Sequence, residues 1–354
     1  VNAQPLRFWS LLGQKAGDNR QLEALAQGAE TRLGWVGEPH ALAFRGGDLL
    51  LQLTRQPSLA ALQPQARASL KAPWPDLVLT AGRRNEPVAR WLQQQSGGRC
   101  AIVHLGRPWT PPHRFDLTLT TAQYALAEEP GNIVMLPAPL APPRAPKGME
   151  TRTRALLLLG GPSGAQALSP ATAVHLLQRF RTLAHRHGLT PCLSTSPRTP
   201  RAVERALKGE AQDLTDGSVF LWHAAQGQAN PLPRWLETAQ LAVVTGDSMS
   251  MVLEALSAGC LTAYAPLPKP LSLRWESLSH RLAQRLAPRR FRRNTQALLD
   301  SWQEAGWLWP LSELESGPLP SPGPGANTLA ASSLDIALEA LAKLPRRHPA
   351  PTKP

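Results

Sequence analysis

Short apolar segments alternate with amphipathic stretches along this chain, stop at a proline-rich run, and then resume. In the first stretch, strand-like segments at 6–12, 48–53, 77–80, 101–105 and 115–120 are interleaved with helical segments at 21–33 and 87–95. Strands separated by helices and short connections build a parallel sheet covered by helices. The run 136–148 is dense in proline, which excludes a helix or a central strand and reads as a semi-rigid linker. Beyond it come strands at 155–159, 190–194, 219–223, 241–244 and 261–265, with helices at 170–187 and 200–208. A chain of 354 residues exceeds one ordinary core, so two α/β domains follow. The first is residues 1–140 and the second residues 150–315. Residues 316–354 then form a loop at 316–327, a terminal helix at 334–344 and a basic tail at 346–354. A further helix is expected at 294–304.

Charge narrows the partners. Lys plus Arg number 38 against 25 Asp plus Glu, a formal +13, which favours nucleotides, nucleic acid or an acidic membrane face. The basic residues are not interleaved with aromatics in a stripe, which disfavours nucleic acid. The basic run from Arg285 to Arg293 is by default a solvated face, and its functional reading is an anionic membrane surface. No window reaches the ~20 apolar residues of a membrane helix, and the first residues lack the layout of a signal peptide. The expectation is a cytoplasmic protein, peripheral at the inner membrane if it meets one. Cys100, Cys192 and Cys260 are isolated and odd in number, so buried thiols are expected, with neither a disulfide framework nor a metal site. The Gly-x-Gly-x-x-Gly, Gly-Lys-Ser/Thr and His-Glu-x-x-His patterns are missing, which removes dinucleotide oxidoreductases, P-loop ATPases and zinc proteases.

The segment from Leu241 to Cys260 reads as buried strand, polar turn and helix. Thr245, Gly246, Asp247 and Ser248 form the turn, and the free amides and hydroxyls at such a helix start attract phosphate or carboxylate. The plain alternative is an ordinary helix capped by Ser248. Ligands of open parallel sheets bind at the carboxyl ends of the strands. Two more loops of this domain sit at such ends: Gly160, Gly161 and Ser163, then Ser194, Ser196 and Arg198. Together they point to a nucleotide-diphosphate cleft, whereas each alone is turn chemistry. Ser250 opens the helix. Glu254 follows on it, placed to accept from sugar hydroxyls or simply facing solvent. Asp247, unfavourable beside a diphosphate, is expected to turn away and brace its loop.

In the first domain, Lys15, Asp18 and Asn19 follow the first strand. Asp18 and Asn19 cap the next helix, or Asp18 serves as a general base for an acceptor hydroxyl. Arg83, Arg84 and Arg107 follow later strands and make a cationic rim suited to an acidic or phosphorylated acceptor. His104 is either a base or a packed strand-end histidine.

With these residues in view, the chain resembles the bacterial relatives of the plant mitochondrial-fission "elongated mitochondria" protein. The resemblance covers most of residues 8–266. It is carried by Gly17, Asp18, Asn19 and Gln21; by Ala81 to Arg84; by His104 to Pro108; by Gly160 to Ser163; by Thr195 to Pro200; by Asn230 and Pro231; and by Thr245 to Met251 with Glu254. It implies a GT-B-like arrangement, two Rossmann-like domains facing across a cleft, with the second binding a nucleotide sugar as co-substrate. The activity implied is transfer of that sugar to an envelope-related acceptor, without a cofactor or bound metal. Ser163, Ser248, Ser250 and Arg198 would hold the leaving diphosphate, and Asp18 would deprotonate the acceptor. The alternatives are a non-catalytic scaffold binding a membrane or protein partner and a nucleotide-sugar 2-epimerase.

Overall fold

The structure is a computed structural model that describes residues 5–46, 56–124, 126, 131–141, 152–161, 168–215, 217–225, 227–267, 294–320 and 326–345. The strand expected at 48–53, most of the linker, Ser163, the basic run Arg285 to Arg293 and the tail lie outside these residues. The chain divides into two compact units. The first comprises Val1–Pro143, Ala287–Thr295 and Leu329–Pro354, and the second Arg144–Leu286 and Gln296–Thr328.

The first unit holds β1 (Arg7–Leu12), α1 (Ala16–Leu33), β2 (Val36–Ala41), α2 (Pro64–Ala68), β3 (Leu77–Ala81), α3 (Glu86–Gln95), β4 (Ala101–Leu105), β5 (Leu117–Thr121) and β6 (Ile133–Leu136). The strands form one sheet in the order β2-β1-β3-β4-β5-β6, every pair parallel. β3, β4 and β5 are buried along their whole length, which is why each reads as an apolar or threonine run, interrupted only by His104 in β4. β2 carries Gly37, Glu38 and Pro39 and was not legible as a strand; it lies at the sheet edge, where a missing N–H donor is tolerated.

α1 starts at Ala16, five residues before the sequence placed it. Asn19 explains the difference: its side chain accepts from the Gly13 amide and donates to the Gly13 carbonyl, both at 2.9 Å. That clamp shortens the loop and draws Gly17, Asp18 and Asn19 into the first helical turn. The Lys15 side chain makes no cap hydrogen bond, and Asp18 and Asn19 lie inside the helix, not at its cap.

The second unit holds β7 (Arg154–Leu159), α4 (Pro170–Arg186), β8 (Thr190–Thr195), α5 (Arg201–Glu210), β9 (Val219–Phe220), α6 (Leu232–Thr238), β10 (Ala239–Thr245), α7 (Met249–Ser257), β11 (Leu261–Ala265), α8 (Thr295–Glu304), β12 (Leu308–Pro310) and α9 (Leu311–Leu314). Its sheet order is β12-β11-β10-β7-β8-β9, again all parallel. β9 is shorter than expected because the next amides leave the ladder: Trp222 N–H donates to Thr195 Oγ1, and His223 N–H to Glu204.

The last helix, α10 (Ala326–Ala342), returns to the first unit, where Ala337, Leu338 and Leu341 join the core beside Leu22, Leu25 and Ala29. All three cysteines are buried, and none forms a disulfide. No helix among the described residues is long and apolar enough to cross a membrane.

Candidate functional site

Each sheet reverses its strand order once, between β1 and β3 in the first unit and between β7 and β10 in the second. The loops leaving the carboxyl ends of two such strands diverge to opposite faces and leave a crevice between them. Several of the described residues singled out in the sequence lie at these two points, and His104 is an exception.

In the first unit the crevice is a cavity of about 390 Å³, a size suited to a small ligand. It is lined by Lys15 and Asp18 after β1, Arg83 and Arg84 after β3, and Arg107 after β4. The guanidinia are held in place. Arg83 lies over the Trp109 ring at 5.0 Å, Arg84 over Phe44 at 4.6 Å and Arg107 over Tyr124 at 5.6 Å. Arg84 also donates to Gln14 Oε1 at 2.6 Å and to the Arg45 carbonyl at 3.1 Å. Gly82 has φ +77°, and a Cβ there would come within 3.0 Å of Asp18 Oδ2, so the turn into Arg83 needs glycine for two reasons.

His104 does not line the cavity. It is fully buried, packed on Phe115, with Nε2 3.4 Å from Glu86 Oε1. A base in that position has no access to an acceptor, so the packed reading of this histidine holds. Glu86, which the sequence did not single out, organises the loop above it. Its two oxygens accept the Trp109 and Thr110 amides at 2.7 and 2.8 Å. Burial pushes the Glu86 carboxyl up, but the facing His104 and the two amides outweigh it and hold the group below its ordinary value.

In the second unit the loops after β7, β8 and β10 close on one another. Gly160 N–H donates to Thr245 Oγ1 and Gly161 N–H to Asp247 Oδ2, both at 2.8 Å. Thr199 Oγ1 lies 2.6 Å from the Gly160 carbonyl and accepts the Ser196 amide at 2.9 Å. Arg198 Nη2 reaches Ser248 Oγ at 3.2 Å and Asp247 Oδ2 at 3.5 Å. Ser248 occupies the cap position of α7 without a side-chain cap bond, so the hydroxyl is directed to Arg198 instead.

Asp247 is turned inward with no exposed side-chain surface, and burial raises its pKa. The Thr245 and Gly161 hydrogen bonds and the Arg198 charge act in the opposite direction. Gly246 closes back through its amide onto the Ala265 carbonyl. Ser194 is consumed within β8, its hydroxyl 3.4 Å from the Thr195 carbonyl. Ser250 is exposed in the first turn of α7, and Glu254 is half-buried one turn further on. Glu204, another carboxylate the sequence did not mark, accepts Thr195 Oγ1 at 2.6 Å and fixes the β8 loop from below. Its only sequence signal is a Glu in the first turn of α5.

Each unit is an α/β sheet with one reversal of strand order, and a family model described as Mitochondrial fission ELM1 matches residues 16–313. The chain belongs to the mitochondrial fission ELM1 family. No curated protein matches the sequence. Among solved structures, the glycotransferase of kitacinnamycin is similar over 97% of this chain and 100% of its own, at 14% identity and a TM-score of 0.50. A putative UDP-N-acetylglucosamine 2-epimerase from Listeria monocytogenes is similar over 97% of this chain and 92% of its own, at 13% identity and a TM-score of 0.49. The UDP-GlcNAc 2-epimerase from Neisseria meningitidis, bound to UDP-GlcNAc, is similar over 96% and 100%, at 11% identity and a TM-score of 0.49. At such identities the likeness to the first of these shows fold alone: this ELM1-family chain has the two parallel α/β sheets of a GT-B-like protein. Among its described residues no group of three His, Cys, Asp or Glu side chains converges as a metal site.

Proposed function

We propose that this ELM1-family chain is a glycosyltransferase of GT-B type, moving a sugar from a nucleotide-sugar donor to an envelope-related, anionic acceptor. One observation carries the reading. At the switch point of the second sheet, Arg198 and Ser248 meet at 3.2 Å over the start of α7. A guanidinium, a hydroxyl and a helix N-terminus together form a diphosphate site. The fold shared with the kitacinnamycin glycotransferase is consistent with this use.

In the reaction, the acceptor oxygen bonds to the anomeric carbon as the bond from that carbon to the diphosphate oxygen breaks. The acceptor proton goes to a carboxylate base, the role the sequence reading gives to Asp18, and in the second unit Arg198 with Ser248 neutralises the leaving diphosphate beside Ser250 and Glu254 of α7. Charge on the diphosphate is assigned to these groups and none to a metal.

A non-catalytic scaffold is the second reading. It is favoured by the Gly160 and Gly161 amides, which Thr245 and Asp247 already occupy. Calorimetry with UDP, GDP, CDP and dTDP separates the two. A transferase binds one of them, and Arg198→Ala weakens it about tenfold to a hundredfold, the worth of a hydrogen bond to a charged group. Binding to none of the four sinks the transferase reading.

A further inference from the structure

We infer that the cavity of the first unit is a phosphate-ester site and, resting on the transferase reading for its role, that the acceptor is a phosphomonoester. Among the described residues that line it, four are cationic, Lys15, Arg83, Arg84 and Arg107, and one is a carboxylate, Asp18. A phosphomonoester, with nearly two negative charges and three acceptor oxygens, matches such a cationic lining better than a monocarboxylate does.

The arginines are arranged for such a group. Stacking on Trp109 and Tyr124 fixes the guanidinia of Arg83 and Arg107 by their faces, and it is the edge of a guanidinium that grips phosphate. Arg84, spent on Gln14 and the Arg45 carbonyl, holds the wall. Two helices, α1 and α3, begin beside the cavity and add their positive ends to the same field. The Arg107 and Trp109 wall is itself held by Glu86 through the Trp109 amide. The deeper lining, Leu105, Leu119, Leu136 and Pro139, is apolar and accommodates the carbon skeleton of an ester.

The test titrates the full chain with glycerol 3-phosphate by calorimetry. In parallel it measures retention on phosphatidylcholine vesicles carrying phosphatidic acid, or phosphatidylserine at matched charge. Either a titration with the soluble ester, or retention on phosphatidic acid above phosphatidylserine, supports the site and identifies its source as free or lipid-borne. In both arms Arg83→Ala and Lys15→Ala weaken binding about tenfold each, the loss of one charge-assisted contact. Arg107→Ala adds to them if its fold, checked by circular dichroism, is intact. Arg198→Ala leaves ester binding unchanged while reducing nucleotide binding.

Ester binding without any nucleotide binding upholds the site and removes the transferase reading alone. Absence of both a titration with the soluble ester and retention on phosphatidic acid above phosphatidylserine, ester binding untouched by Arg83→Ala, or a loss of it that follows Arg198→Ala overturns the proposal.

Discussion

The Gly161 amide donates to Asp247 Oδ2 at 2.8 Å, tying the end of β7 to the turn after β10. The approach leaves no room for a side chain on either glycine. A Cβ on Gly160 would meet Asp247 Oδ2 at 2.1 Å, and one on Gly161 would meet the Arg198 carbonyl oxygen at 2.0 Å. Both Gly160→Ala and Gly161→Ala are expected to cost about 1–3 kcal/mol or more, as overpacking does. The obstacles differ in kind, so the rescue differs too. Adding Asp247→Ala removes the obstacle to an alanine at 160 but not the backbone obstacle at 161. Urea midpoints of the singles and doubles should therefore show coupling for the Gly160 pair in the relieving direction. Relief should be absent for Gly161.

Asp247 also gives stability a pH dependence of known sign. Burial raises its pKa against the opposing hydrogen bonds and Arg198. A carboxyl whose folded pKa lies above its unfolded one contributes stability that is fully present below the unfolded value, about 3.9. That contribution is lost as pH rises through the folded value. Wild type should therefore lose stability relative to Asp247→Asn as pH climbs from about 4 toward neutrality. Urea melts of both proteins across that range measure it, and parallel curves would refute the assignment.

How much of this was legible in the sequence depended on where the information lay. β4 and β11 announce themselves because burial on both faces favours short, mainly apolar runs, broken only by His104 in β4 and by Thr262 and Tyr264 in β11. The switch-point loops were legible because glycine, hydroxyl and arginine residues follow those strands directly. β2 was not, since an edge position permits Gly37, Glu38 and Pro39. Nor was the role of Glu86. Its partners His104, Trp109 and Thr110 are brought to it only when β3 and β4 pair and their loops converge. For the same reason the sequence left His104 open between a base and a packed histidine: its full burial is a property of the packed sheet, not of its neighbours in the chain.

Glu86 should prove the most sensitive buried acid of the first unit. Its carboxylate, 2% exposed, satisfies two amides and faces His104. Glu86→Ala leaves all three without it, a loss of about 3–5 kcal/mol by analogy with broken buried pairs. Glu86→Gln, which keeps an acceptor, should lose less. The wild-type contribution is present above the unfolded glutamate pKa and disappears as pH falls through the depressed folded value. Acid destabilisation should accordingly be smaller in Glu86→Gln than in wild type. A chemical-denaturation series from pH 3 to pH 7 reports both effects.

The terminal helix makes a prediction in which two neighbouring contacts differ widely in worth. Leu338 of α10 is 3% exposed in the core of the first unit, next to Gly28 of α1, where a Cβ would come within 3.2 Å of Leu338 Cδ1. Three residues away, Asp335 pairs with Arg32 on the rim, both side chains about half exposed. Burial decides between them. Leu338→Ala should cost about 2–5 kcal/mol, the transfer energy of the lost methyls plus the cavity they leave. Asp335→Ala should cost under about 1 kcal/mol, because an exposed ion pair repays little of the side-chain order it requires. Gly28→Ala meets only the flexible ends of Leu334 and Leu338, so its cost should be small and should shrink further in the Leu338→Ala background. Urea titrations of the four proteins, followed by tryptophan fluorescence, give the ranking. Near-equal losses for Leu338→Ala and Asp335→Ala would mean that α10 is not packed on the first unit as described.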